Sequence, residues 1–214
     1  MYFKIPANID VAGHFLDEVS TWTKCKHIVC SEGNWWAITT NLRVMIEHFA
    51  PEYIEELIEK YLCEPTEYHV KRVTVKFTCD RGVSHEFVRH RVFSFAQEST
   101  RYCNYTKDKF GNEITFIEPC WDMQSDERKL FLLQLEQAQN VYNALISSGW
   151  TPQQARAILP NSLKTELVMT GFVDDWNHFF DLRARGTTGA PHPQAKELAE
   201  PLLTEFIKRN IISL

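Results

Sequence analysis

The sequence predicts an α+β fold: a central, mostly antiparallel sheet packed with several helices, in a single domain. Three observations lead there. Strand-like alternation and helix-like periodicity occur in grouped blocks, without a βαβ repetition. No internal repeat, low-complexity tract or Pro/Gly/Ser-rich linker divides the 214 residues, so one domain over 1–214 is expected. A chain of that length also buries a substantial core by itself.

In chain order, "KHIVC" and "WWAITT" flank "SEGN" and predict a hairpin. From 72 to 79, "RVTVKFTC" alternates, which puts Val73, Val75, Phe77 and Cys79 on one face of a half-buried strand. That strand leads into "DRGVSHEFVRHR", where Asp80 or Ser84 is suited to cap a short helix whose last turn would carry Arg89, His90 and Arg91. "NEITFIEP" predicts a further strand near 114–117. Residues 126–148 predict a helix with Leu130, Leu133, Ala138, Val141 and Leu145 inward, ended by Gly149 as C′ residue. In "TPQQARAIL", Thr151 is the N-cap, Pro152 takes N1, Gln154 completes a capping box, and Pro160 stops the helix. "DDWNHFFDLRAR" gathers Trp176, Phe179, Phe180 and Arg183 on one helical stripe, with Asp174 or Asp175 at its start. A last helix covers 193–208.

Composition excludes several function classes. Lys and Arg number 23 against 28 Asp and Glu, a formal charge of −5 that opposes non-specific attraction to nucleic acid or anionic lipid. Any anion site must be local. "MYFKIPANIDVAG" has no apolar secretory segment, and no apolar run approaches the ~20 residues that cross a bilayer, so a cytoplasmic protein is expected. Six cysteines are spread without a C-x-x-C pair, and "CKHIVC" lacks a matching second half, so reduced thiols and no metal site are expected.

Against this acidic background, "RHRVFSFAQESTRY" concentrates three arginines, a histidine and four hydroxyls. Arginine presents a fixed, permanently charged fork that suits phosphate and carbonyl-rich heterocycles. Charge alone leaves two readings open, a solvated basic edge or an anion cradle.

Spacing narrows them. Arg89-His90-Arg91, then Ser99 after seven residues, then Arg101 and Tyr102, resembles the signature of the flavin-dependent thymidylate synthases. The resemblance extends through "DRGVSHE", "RAILPNSLKTEL" and "WNHFFDLRA", most of residues 66–185. It implies reductive methylation of dUMP to dTMP, with methylenetetrahydrofolate as carbon donor, FAD as hydride carrier and NADPH as reductant, for thymidylate biosynthesis. It further implies a homotetramer whose active sites draw on several subunits, with no nucleic-acid or membrane partner. By the same resemblance Thr66, Arg89, His90, Arg91, Gln97 and His178 face FAD. Glu86, Phe87, Val88, Arg89, Gln97, Glu98, Ser99, Thr100, Arg101, Arg156 and Arg183 form the dUMP site. Arg183 is the implied catalytic residue, polarising the uracil ring. The cations then offset the repulsion between the FAD pyrophosphate and the dUMP phosphate.

The chain departs from the family pattern in places. Gln97 stands where the family usually has a carboxylate, an exchange that keeps an acceptor and removes a charge. Glu86 stands where some relatives carry glutamine, suited to accept from a sugar hydroxyl. Phe172 and Asp174 replace the Asn and Arg that relatives often offer to FAD, so neither is counted in the site. Ser99 has no base partner nearby and reads as a binding residue, not a nucleophile.

Two rival readings follow from particular stretches. "EPCWDM" invites comparison with the flavin-free thymidylate synthase, which attacks C6 of dUMP with a cysteine thiolate. Its nucleophile lies in P-C-H, whereas Cys120 is followed by Trp121, and a buried inert thiol is expected. "KRVTVKF" and "RHR", with Phe93, Phe95 and Tyr102 as stacking platforms, resemble a nucleic-acid surface, but net charge and the lack of an RNP-like or helix-turn-helix signature oppose it.

Overall fold

The computed structural model describes residues 1–9, 25–30, 34–105 and 113–213. They gather into two compact units, one of residues 1–73 and 170–177, the other of 74–169 and 178–214. The strands are β1 (Tyr2–Pro6), β2 (Lys26–Cys30), β3 (Trp35–Thr39), β4 (Arg72–Asp80), β5 (Ser94–Gln97) and β6 (Lys164–Phe172). The α-helices are α1 (Leu42–His48), α2 (Pro51–Tyr61), α3 (Arg81–Phe87), α4 (Ser125–Ser147), α5 (Pro152–Ala155), α6 (Val173–Phe180) and α7 (Pro193–Lys208). The α+β class holds, and the strands form two three-stranded sheets, ordered β1-β3-β2 and β4-β6-β5.

In the first unit β3 is central and antiparallel to both neighbours, pairing Phe3 with Ile38 and Lys26 with Thr39. The predicted hairpin is therefore β2 and β3, with most of its turn outside the described residues. Asn41 opens α1 by accepting from the Val44 amide at 3.1 Å, and Pro51 opens α2. These helices close over Phe3, Ile5, Ile38, Val44, Met45 and Leu57. Trp176 is also fully buried, its indole N–H donating to the Val73 carbonyl at 3.2 Å.

β4 follows its alternation: Phe77 and Cys79 are buried while Thr74, Lys76 and Thr78 are exposed. Along β6, Thr165, Leu167 and Met169 are buried between half-buried neighbours. The second unit has two apolar centres. One joins Tyr105, Ile114, Tyr142, Ala155 and Leu163. The other is aromatic, with Phe179 5.1 Å from Phe87, 6.1 Å from Phe77, 6.3 Å from Phe93 and 5.6 Å from Phe180.

Three expectations need correction. The 114–117 strand is a single bridge between Phe116 and Leu163, because only Ile117 and Lys164 exchange backbone bonds across it, with Ser162 and Thr115. On α4, Leu130 (67% exposed), Leu133 (50%) and Val141 (47%) face outward, and the helix buries Leu135, Ala138 and Tyr142. Apolar residues surround this 23-residue helix, so its neighbours, not its periodicity, select the inward face. Cys120 is exposed, on an irregular segment that no strand carries inward. Cys25, Cys63, Cys79, Cys103 and Cys120 are free, and no metal-ligating cluster occurs among the described residues.

The helix ends behave as the residue types require. Trp150 and Gly149 amides bond the Leu145 and Ile146 carbonyls, a Schellman end that needs the left-handed backbone of Gly149 (φ 92°). Gln154 accepts from the Thr151 amide at 2.9 Å to cap α5, which tightens to a 3₁₀ turn at Arg156–Ile158 before Pro160.

Candidate active site

β4 ends in the residue that starts α3: Asp80 Oδ1 accepts from the Val83 amide at 2.8 Å, and its other oxygen accepts from Gln194 at 2.9 Å. The helix stops at Phe87, earlier than expected, so Arg89, His90 and Arg91 lie in the following turns and not in its last one. The His90 amide bonds the Phe87 carbonyl and the Phe93 amide bonds the His90 carbonyl. These two successive turns send alternate side chains in opposite directions. Arg89 and Arg91 are exposed, while His90 is buried among Phe93, Phe179 and His178.

Arg183 meets this turn from the far end of the chain. It sits in a π turn, Asp181–Arg185, that continues α6, and the turn closes at Gly186 (φ 68°). A Cβ there would come within 3.0 Å of both the Gly189 carbonyl and the Pro191 ring. Arg183 donates from Nε to His90 Nε2 at 3.1 Å, from Nη1 to Glu86 Oε2 at 2.9 Å and from Nη2 to the Glu86 carbonyl at 2.9 Å. Since arginine only donates, His90 accepts at Nε2 and carries its proton on Nδ1. Burial first, then the positive charges of Arg183 and His178, push its pKa down to about 4, with Glu86 opposing them.

This shift has a consequence for stability. Unfolded His90 gains a proton near 6.5 and folded His90 only near 4, so between those values the unfolded chain binds more protons. Stability is expected to fall as pH drops from 6.5 to about 4, and His90→Asn is expected to flatten that slope. Urea midpoints across this range test it; an equal slope in the variant would remove His90 as the cause.

Glu86, Arg89, His90, Arg91, His178 and Arg183 share a cleft of about 650 Å³, completed by the loop from Thr188 to His192. Among the described residues its only lining carboxylate, Glu86, is paired with Arg183. Among the described residues nothing pairs with Arg89 or Arg91, so the cleft carries two uncompensated guanidinium groups.

The remaining sequence-selected residues lie elsewhere in this unit. Thr100 is buried and accepts from Arg156 Nη1 at 3.0 Å, and both line a smaller cavity of about 220 Å³ with Arg81 and Asn161. Arg81 is not among the residues expected from the sequence, although "DRG" directly after a strand offers it. Arg101 donates to Gln153 at 3.0 Å and lies over the Tyr102 ring. Gln97 donates to Ser84 at 2.8 Å and Thr165 at 3.3 Å, so its amide uses the donor that a carboxylate would lack. Glu98 approaches Lys164 at 3.7 Å, and the Ser99 hydroxyl accepts from the Arg101 amide at 3.4 Å. Phe87 commits its ring to the core and its carbonyl to the His90 amide, and Val88 caps α3.

Thr66 belongs to the first unit, where its amide donates to His69 Nδ1 at 3.0 Å. Phe172 is buried with Lys26 and Arg72 over its ring at 4.8 and 5.4 Å, and Asp174 pairs with Lys26 at 2.9 Å. Asp175 accepts from the Phe172 amide at 2.9 Å, so it and not Asp174 fastens the start of α6. Of the three aromatics suggested as stacking platforms, Phe93 is buried and Tyr102 is 75% exposed, which breaks up that surface.

Residues 24–209 match the family model described as thymidylate synthase complementing protein. A flavin-dependent thymidylate synthase from Geobacter sulfurreducens is 31% identical over 103 residues, 48% of this chain and 43% of that protein. One from Pyrococcus furiosus is 28% identical over 172 residues, 78% of this chain and 68% of that protein. The chain therefore spans less than half of the first relative and about two thirds of the second. A crystal structure of a UMP/dUMP methylase from Streptomyces cacaoi, bound with 5-Br dUMP, shares the fold with a TM-score of 0.54 at 22% identity, over 64% of this chain and 67% of that one.

Proposed function

Because the chain belongs to the thymidylate synthase complementing protein family, we propose that it converts dUMP to dTMP by reductive methylation. Methylenetetrahydrofolate is the carbon donor, FAD the hydride carrier and NADPH the reductant. The observation that carries this reading is the cleft of Arg89, His90, Arg91, His178 and Arg183, a local cationic site on an acidic chain.

The donor set fits an anionic dinucleotide: Arg89 and Arg91 are exposed and unpaired among the described residues, flanking a neutral His90. Together with His178 they would hold FAD, which when bound supplies the hydride. Arg183 stabilises negative charge developing on a uracil oxygen without exchanging a proton itself. His90 stays neutral near pH 7 and therefore accepts from Arg183 instead of repelling it. Arg81, Thr100 and Arg156 offer two guanidinium groups and a hydroxyl to the dUMP phosphate.

The two hollows share no lining residue, which favours an active site completed between subunits of a homotetramer. The exposed apolar side chains of α4 are suited to such assembly. No described helix is long and apolar enough to cross a membrane.

Anaerobic incubation with dUMP, methylenetetrahydrofolate, FAD and NADPH tests the function, with dTMP as the expected product. Failure of fully flavinated protein to form dTMP would overturn it. The reading also predicts that Cys120→Ala retains activity, since the thiol lies outside both hollows. Loss of turnover with normal folding and flavin content would instead restore the thiolate mechanism.

A further inference from the structure

Arg183 is held at three points by only two residues, Glu86 and His90, which are 97 and 93 positions away in sequence. One anchor is a backbone group with no partner inside its own helix. Glu86 is in the last turn of α3, where carbonyls lack intrahelical donors, and Arg183 Nη2 fills that need. The carboxylate of the same residue holds Nη1, and His90 Nε2 holds Nε. A guanidinium has five N–H groups, so one on each terminal nitrogen remains for a ligand in the cleft. The side chain of Arg183 is 15% exposed and that of Glu86 34%, so the clamp stands at the cleft wall and not in bulk water.

The geometry points to Glu86 and His90 as positioning residues that hold the Arg183 guanidinium ready for the pyrimidine, an inference that rests on the dUMP reading above. An unanchored arginine samples many rotamers, and an error of about 1 Å in a reacting group costs about a hundredfold in rate. Glu86 also offsets one positive charge, so the fork is fixed without adding net charge beside His90. The charged or titratable groups facing His90 are Arg183, His178 and Glu86. Glu86 thereby acts through Arg183, and not by accepting from the nucleotide sugar.

The test is a double-mutant cycle in the dUMP methylation assay on the flavin-loaded protein, comparing Glu86→Ala, Arg183→Ala and both together. Glu86→Ala is expected to lower kcat by about 10- to 100-fold, with KM for dUMP within about threefold of wild type. Glu86→Gln, which keeps an acceptor for Nη1, is expected to fall between them. In the Arg183→Ala background, Glu86→Ala is expected to add nothing. An undiminished effect in that background, or one that appears mainly in KM, would show that Glu86 meets the nucleotide itself and would overturn the inference alone. Normal turnover in Arg183→Ala would overturn the dUMP reading and this inference with it. An independent readout needs no substrate: the Arg183 Nε–H proton, identified by its loss in Arg183→Lys, should exchange slowly in wild type and rapidly in His90→Phe, which removes the acceptor of that proton. Equal exchange in both would refute the clamp whatever the activity.

Discussion

Replacing Arg183 with alanine is expected to lower dTMP formation by about 10²- to 10³-fold, the usual loss when a preorganised electrostatic donor is removed. Flavin content should persist, because Arg89 and Arg91 do not depend on Arg183 for any hydrogen bond. The loss should appear in kcat more than in KM, since charge on the uracil develops along the reaction. Steady-state kinetics with flavin absorbance of the same preparation checks both. Near-normal kcat would remove the role assigned to the residue. Loss of flavin along with activity would instead make Arg183 a cofactor anchor.

Phe179→Ala is expected to destabilise the protein by about 3–5 kcal/mol, the range for truncating a buried phenylalanine. Its ring is fully buried and meets Phe77, Phe87, Phe93 and Phe180, so no single neighbour can fill the space it leaves. It also lies 5.1 Å from the His90 ring and excludes water from it. The variant should therefore return the His90 pKa upward from about 4 toward its ordinary value, because burial is the largest cause of the depression. Urea unfolding measures the first effect and histidine NMR titration the second. A loss below about 1 kcal/mol would mean that the aromatic centre repacks freely.

Much of the site was legible because its chemistry is written at short range. Arg89, His90 and Arg91 stand out through the spacing that carries the family resemblance, Thr151 caps by residue type, and residue type narrows the cap of α3 to Asp80 or Ser84. Legibility failed where a decision depended on neighbours. β6 alternates as plainly as β4 over Thr165, Leu167 and Met169, although the sequence expectations include no strand there. Arg81, one arginine after a strand, looks like any surface cation until Thr100 and Arg156 line the same cavity. At Gln97 the sequence displays the removal of a charge, whereas the fold uses the amide as a donor to Ser84 and Thr165.

By itself the sequence determined the α+β class, the positions of most helices and the concentration of cation around Arg89–Arg91. These follow from periodicity, caps and motif spacing, which are properties of neighbouring residues. Only the tertiary structure decided that His90 turns inward while its flanking arginines turn outward. It alone brought Arg183 across 97 positions to Glu86, and chose Tyr142 over Val141 as the buried side of α4. The physical reason is common to all three. Burial and the pairing of distant charges depend on which surfaces meet when the chain packs, and no local pattern encodes that choice.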